Sequence, residues 1–322
     1  MNAIGKSSAI FVTLSGLFWG GWILGAQTPE GQEAIARAYA AYAEQQATAN
    51  ENLFDSTALR AVICGAGGAE TAEPRPCLAV AAAGRLFIVD AGSGAANALT
   101  GRGIPMERLQ AVLLTNAGAA QTADLGIMFH ESTRGRSDAL MPVYGPADTQ
   151  RMVEGLNQAG GFDGASRGLQ AWGPSPEPGR SVIVFEADGL VVSAFTTQED
   201  AFNGRIGYRF DYRGRSIVVG GDGQVMSAAA ASNADVVLQG AQTQALARVH
   251  GERGTATAAE VAAQARAANA GMVVLTGADS QVAAQVQVAE ARAAGFQDVV
   301  AGRVGMLVEL PLDNGAINVR PL

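Results

Sequence analysis

The residues that could carry out chemistry are few, and the most informative of them surround one loop. The segment from Ala111 to Gly126 begins as an uncharged apolar run, which is typical of a buried strand. It should end in a helix for which Asp124 is available as the N-cap. A loop between a strand and a helix is where α/β proteins place catalytic groups. This loop nevertheless contains no His, Cys or Lys, and Asp124 is its only ionisable side chain.

The composition restricts the kinds of site that the chain can form. It contains 2 His and 2 Cys in 322 residues, so a site built from several His or Cys ligands is nearly excluded. We expect His130 to be helical and partly buried, and His250, which lies in a charged stretch, to be at the surface. The formal net charge of -8, without any cluster of Lys or Arg, predicts that the protein has no nucleic-acid partner.

The first 27 residues differ in character from the rest. No charged residue occurs between Lys6 and Glu30, and residues 10–26 are apolar and about long enough to span a bilayer core. The charges on either side predict a cytoplasmic N-terminus and a periplasmic remainder. The alternative is a signal peptide that is cleaved after residue 26. Small residues at two four-residue spacings would let another transmembrane helix approach closely, and they are Gly16, Gly20, Gly21 and Gly25.

The remaining chain predicts a stalk followed by one folded domain. Residues 28–57 form an Ala-rich helix with Pro29 near its start, followed by a linker from residue 50. From residue 58 onward, meandering strands are followed by helices, and the same order is repeated in the second half. This pattern predicts an α/β domain over residues 58–322, in which two mixed β-sheets pack together with helices outside.

An ordered set of short motifs runs through this domain. The motifs are Ile63–Gly67, Leu86–Gly92, Ala111–Thr115, Pro142–Pro146, Gly207–Tyr212 and Gly221-Asp222. In this order they resemble the metallo-β-lactamase superfamily, in particular its tRNase Z and arylsulfatase-like branch with membrane-anchored members. The resemblance covers Leu59 to the C-terminus. It implies a four-layer αβ/βα sandwich with a binuclear metal site on the loops at the strand ends.

The same resemblance identifies what this chain lacks. The family's signature after the strand is Thr-His-x-His-x-Asp-His, of which only Thr115 is present. The family's next His falls near Glu199, its metal-bridging Asp aligns with Asp222, and its last His falls at Gly277. Asp222 lies in a Gly-Asp-Gly turn, so we expect it to bind backbone amides there. Too few donors remain for zinc, because the other signature positions are occupied by Asn116, Gly118, Ala120 and Gln121.

From these departures we predict a catalytically inactive protein with no cofactor. The chain combines the fold of an enzyme family, without its metal ligands, with a predicted membrane helix. We therefore predict an accessory or scaffold subunit of an inner-membrane protein complex, with its folded domain in the periplasm. One alternative is a residual metal-dependent hydrolase of phosphodiesters or sulfate esters that uses Glu199, Asp222 and His130. A second alternative is a small-molecule sensor whose pocket is lined by Asn116, Gln121, Glu199 and Asp222.

The two cysteines fall on strands that should be adjacent. In an exported domain Cys64 and Cys77 could form a disulfide, and two buried thiols are the alternative. The membrane-anchored proteins of the resembling branch carry Cys at both places, which favours neither state by itself.

Overall fold

A computed structural model of the chain describes residues 28–68, 75–197, 205–223, 225–250 and 255–322. The chain divides into two units, residues 1–51 and 52–322. In the first unit, helix α1 spans Pro29–Glu51, and its first position suits Pro because the N–H there has no intrahelical partner. A stalk role for α1 remains a prediction.

The predicted membrane helix has no support from the structure. Residues 1–27 lie outside the described residues, and so do the four glycines of its packing face. Among the helices that are described, none combines the length and the apolar character needed to cross a bilayer.

Eight strands form the first sheet of the second unit. Their bounds are β1 (Ala58–Gly65), β2 (Cys77–Ala82), β3 (Arg85–Val89), β4 (Leu109–Leu113), β5 (Leu140–Tyr144), β6 (Gly168–Trp172), β14 (Met306–Pro311) and β15 (Asn318–Pro321). The strand order is β15-β14-β1-β2-β3-β4-β5-β6. Strands β3 to β6 are parallel and the other neighbours are antiparallel, so the sheet is mixed.

Seven strands form the second sheet. Their bounds are β7 (Ser181–Ala187), β8 (Leu190–Thr196), β9 (Ile206–Tyr212), β10 (Arg215–Val219), β11 (Val236–Gly240), β12 (Met272–Thr276) and β13 (Val299–Ala301). The strand order is β13-β12-β11-β10-β9-β8-β7. Strands β10 to β13 are parallel and the remaining pairs are antiparallel.

Helices cover the outer face of each sheet. Their bounds are α2 (Ala95–Thr100), α3 (Ala119–Thr122), α4 (Leu125–Ser132), α5 (Thr149–Gly160), α6 (Gln244–His250), α7 (Ala258–Ala267) and α8 (Gln281–Ala293). Three buried apolar clusters form the core. One lies between the two sheets, one lies between the first sheet and its helices, and one lies between the second sheet and its helices. The predicted sandwich of two mixed sheets with helices is therefore confirmed, whereas the preceding membrane helix is not supported.

Two local expectations differ from the structure. Leu53 and Phe54, which we placed in a linker, are buried in the core on the helix side of the first sheet, because a single 3₁₀ turn points both side chains inward. Asp124 precedes α4 but makes no side-chain bond to that helix. Its Oδ2 instead accepts a hydrogen bond of 2.9 Å from the backbone N–H of Ala96, in the first turn of α2, so it caps a different helix.

The two cysteines lie on the neighbouring strands β1 and β2. Cys64 and Cys77 are disulfide-bonded, with Cα atoms 4.9 Å apart and both residues buried. The bond ties the end of β1 to the start of β2, next to the loop that carries Arg75. It therefore restrains the backbone next to Arg75.

Candidate functional site

The loops after the parallel strands gather at one edge of the sandwich, because parallel strands end on the same side of a sheet. Asp90 follows β3 and Thr115 closely follows β4. The Oδ1 atom of Asp90 accepts a hydrogen bond of 2.8 Å from the Thr115 N–H, and its Oδ2 atom accepts one of 2.8 Å from the Thr115 hydroxyl. Both residues are buried, so this pair fixes the start of the loop that the resemblance identifies as catalytic.

The second sheet contributes Asp222, which follows β10. The amide of Gln121 in α3 donates a hydrogen bond of 3.0 Å to Asp222 Oδ2, so the two predicted positions meet across the sheets. Asp222 thus binds a side-chain amide where we expected backbone amides. The preceding Gly221 has φ 69°, and a Cβ there would lie 2.7 Å from Thr115. Only glycine therefore fits between the two loops.

Two arginines that sequence reasoning missed complete this arrangement. The Arg205 guanidinium donates a hydrogen bond of 3.2 Å to the backbone carbonyl of Asp222, and the Arg75 guanidinium donates one of 2.7 Å to the carbonyl of Gly68. Both cations lie near enough to Asp222 to favour its charged form. We call Arg75, Gln121, Arg205 and Asp222 the Asp222 cluster.

Burial controls the protonation of the carboxyl groups at this edge. It raises the pKa of Asp222, against the opposing effects of Arg205, the Gln121 hydrogen bond and Arg75. Burial also raises the pKa of Asp90 well above its usual range; the hydrogen bond from the Thr115 N–H opposes this, and the charge of Asp222 adds to it. A cavity of about 30 Å³ is lined by both carboxyl residues, which is room for about one water molecule.

The pKa of Asp90 predicts how stability depends on pH. When the pKa of a carboxyl group is higher in the folded state than in the unfolded state, the protein loses stability as the pH rises. The loss begins near the unfolded-state pKa of the group and continues through its folded-state pKa. The slope approaches about 1.4 kcal/mol per pH unit where unfolding releases one proton. Asp90→Asn should remove most of this slope in urea denaturation between pH 4 and pH 8, because an amide stays neutral and Asn tolerates the φ of 60° at this residue.

A matched variant tests whether the slope belongs to this buried site. Asp188 also has a positive φ, of 53°, but its side chain is exposed. Asp188→Asn should keep the wild-type slope. An unchanged slope in Asp90→Asn would show that this carboxyl does not govern the pH dependence.

The other predicted site residues do not converge on a ligand-binding centre. Asn116 Oδ1 accepts a hydrogen bond of 2.8 Å from the Gly118 N–H, and a Cβ at Gly118 would lie 2.7 Å from that oxygen. Ala120 is exposed. Gly277 has φ 80°, which favours glycine over a larger residue. Glu199 lies outside the described residues.

The histidines do not join the site either. His130 is exposed on α4, whereas we expected partial burial, because the buried face of that helix consists of Leu125, Met128, Phe129 and Ser132. The side chain of His250 lies outside the described part of the chain.

The described residues do not fit the binuclear metal centre that the resemblance implies. Within those residues, no group of three or more His, Cys, Asp and Glu side chains is placed to hold a metal ion. One Oδ atom of the aligned carboxylate, Asp222, already accepts a hydrogen bond from Gln121.

Over about half of its length the chain is similar to ribonuclease Z proteins. No protein-family model matches the chain. The ribonuclease Z of Mycolicibacterium gilvum is 28% identical over 158 residues, which cover 46% of this chain and 54% of that protein. The ribonuclease Z of Mycobacterium bovis is 30% identical over 156 residues, which cover 46% and 56%. The chain spans about half the length of the curated relatives it matches.

Solved structures share the fold over most of the chain. Human tRNase Z, short form, has a TM-score of 0.64 at 16% identity and covers 78% of this chain and 99% of its own. The metallo-β-lactamase fold protein YhfI from Bacillus subtilis has a TM-score of 0.64 at 18% identity, with the same coverage. Yeast PDE1 has a TM-score of 0.60 at 11% identity and covers 78% and 99%.

These likenesses overturn several functional predictions. The relatives are enzymes by name, contrary to the predicted inactive scaffold subunit, and their name denotes action on RNA, contrary to the predicted exclusion of nucleic acid. The predicted membrane partner, inner-membrane location and periplasmic domain have no membrane-spanning helix among the described residues to support them. The prediction of inactivity rested on the metal ligands that the sequence lacks, and the loss of those ligands does not by itself show that the protein is inactive.

Proposed function

We propose that this chain, which has the metallo-β-lactamase fold, hydrolyses phosphodiester bonds, with RNA as the substrate class that its relatives' name denotes. The observation that carries this proposal is the Asp222 cluster. It brings two guanidinium groups to a carboxyl group of raised pKa, at the edge of the sandwich where the strand-end loops meet.

The arginines supply the binding of the phosphodiester. A guanidinium group presents several N–H donors in a plane and matches two phosphate oxygens at once. Arg205 and Arg75 come from different segments of the chain and both act on the charge of Asp222, and the proposal places the phosphodiester against these two groups. Charge that develops on the phosphate oxygens during reaction would be stabilised by these fixed donors.

Asp222 supplies the proton transfer. Its raised pKa makes the carboxylate a stronger base than an exposed Asp, and the adjoining cavity has room for about one water molecule. Asp222 would accept a proton from the water molecule as the oxygen of that water forms a bond to phosphorus. The bond from phosphorus to the leaving oxygen then breaks, and that oxygen takes a proton from solvent. This scheme uses only the side chains of Asp222, Arg205 and Arg75.

The test is a hydrolysis assay on the full chain with bis(4-nitrophenyl) phosphate, a single-stranded oligoribonucleotide and 4-nitrophenyl sulfate. We expect cleavage of both phosphodiesters, little cleavage of the sulfate ester, and activity that persists with a chelator. Activity only with added zinc or manganese would contradict the proposed chemistry and assign it to ligands that include Glu199. Absence of phosphodiester cleavage in every buffer would overturn the function itself.

A further inference from the structure

An aromatic pair stands at the same edge of the sandwich and is not used by the proposed chemistry. The rings of Tyr144 and Trp172 stack with centroids 6.2 Å apart and an interplanar angle of 23°. The two residues are partners in the register of β5 and β6, so their side chains lie on the same face of the sheet. We call these two residues the stacking pair.

One member of the stacking pair packs against the core and the other is exposed to solvent. Tyr144 packs against the core between the two sheets, whereas Trp172 is 51% exposed. Among the strands of the described residues, β6 is the last of its sheet, so none of them lies beyond Trp172. Tyr144 therefore supports a large aromatic surface that faces solvent, and a ligand that stacks there need not order the ring first.

Hydrogen bonds connect Tyr144 of the stacking pair to the end of β4, beside the Asp222 cluster. The Leu114 N–H donates a bond of 2.7 Å to the Tyr144 carbonyl, and the Tyr208 hydroxyl donates bonds of 3.0 Å and 3.2 Å to the carbonyls of Leu114 and Tyr144. Thr115, the next residue, contacts the loop of Asp222. Trp172 lies two strands away from this point, which is about 10 Å at the spacing of neighbouring strands.

This spacing suits one nucleotide. Proteins that bind single-stranded nucleic acid combine cations along the phosphates with aromatic rings on which bases stack. Here the proposed phosphate site contains two arginines, and Trp172 lies about 10 Å, or two strand spacings, from Thr115 beside that site. The net charge of -8 would repel the many further phosphates of a long duplex, which favours a short single-stranded segment.

We propose that Trp172, supported by Tyr144, is the stacking surface for a nucleobase of a single-stranded nucleotide ligand whose phosphate is held at the Asp222 cluster. This inference rests on the proposed function, because the phosphate is placed in the site of that reaction. It adds a base-binding position and sets the substrate class as short and single-stranded.

The experiment compares three probes by calorimetry on the full chain: adenosine 5′-monophosphate, ribose 5-phosphate and inorganic phosphate. We expect the adenosine nucleotide to bind about tenfold or more tightly than ribose 5-phosphate, since base stacking on an aromatic ring adds affinity of that order. Trp172→Ala should reduce this ratio to near one, and Trp172→Phe should keep part of it. Tyr39, an aromatic residue of α1 that is 72% exposed, provides a control, and Tyr39→Ala should leave the ratio unchanged.

The outcomes separate this inference from the proposed function. Equal binding of the nucleotide and ribose 5-phosphate, both weakened by Arg205→Gln, would overturn the stacking position and leave the phosphate site intact. A nucleotide preference that survives in Trp172→Ala would also overturn it. If no probe binds to the wild-type protein, the inference and the proposed phosphate site fail together.

Discussion

Replacing Arg205 with Gln should lower the rate of phosphodiester hydrolysis by about 10²–10³-fold, the loss that follows removal of one fixed donor to a developing charge. Arg205 is singled out because its guanidinium group contacts the Asp222 carbonyl and acts on the Asp222 carboxyl. Arg205→Lys should retain part of the activity, because an ammonium group keeps the charge but loses the planar pair of donors. The measurement is kcat and KM with bis(4-nitrophenyl) phosphate.

A matched arginine lies four residues further along the chain. Arg209 in β9 donates to Asp211 and to the Ser232 carbonyl, away from the Asp222 cluster. Arg209→Gln should therefore keep the wild-type rate. If urea denaturation shows that both proteins are folded and their rates are equal, Arg205 is not part of the mechanism.

The fold could be predicted from the sequence because the signals for it are local. Apolar runs such as Ala111–Leu114 and Ile217–Val219 identify buried strands directly, and the turn residues between them set the order of elements. Four motifs of the resemblance run past the end of a strand, Gly221-Asp222 follows β10, and Gly207–Tyr212 lies within β9, so the position of each in the sandwich follows from the strand order. Two mixed sheets with outer helices then follow from this pattern.

The site could be predicted only in part because its contacts join distant segments. Gln121 and Asp222 were identified from their positions in the resemblance, yet their hydrogen bond spans 101 residues. Arg205 has one signal in the sequence, since it precedes the Gly-Tyr-Arg strand by one residue. Arg75 has none, because a single Arg between two prolines is an ordinary loop sequence. The charge balance of the cluster could not be known before these segments were placed together.

Asp124 illustrates the same limit on a smaller scale. Its position before α4 predicted an N-cap, and the side chain does cap a helix. The helix is α2, which lies 28 residues earlier in the chain, because the two N-termini meet at the strand-end edge. N-cap propensity predicts that Asp124 caps a helix, whereas the tertiary fold determines which helix it caps.

Gly221 should be the most sensitive glycine at this edge. Gly221→Ala should lower the free energy of unfolding by about 2–5 kcal/mol, from a left-handed backbone cost of about 1–2 kcal/mol and overpacking of about 1–3 kcal/mol. The new Cβ would lie 2.7 Å from Thr115 Cβ and Oγ1 in a buried site, so one of the two loops must move. Because Thr115 binds Asp90 and Gly221 precedes Asp222, that shift should also reduce phosphodiester hydrolysis.

Gly214 separates the backbone cost from the packing cost. Its φ is 88°, and a Cβ there would meet no atom within 4 Å. Gly214→Ala should therefore cost only the backbone contribution of about 1–2 kcal/mol and leave hydrolysis unchanged. Urea denaturation measures both variants under the same conditions. If Gly221→Ala costs no more than Gly214→Ala and keeps full activity, the close approach of the two loops is not what positions Asp222, and the cluster must be held by its hydrogen bonds alone.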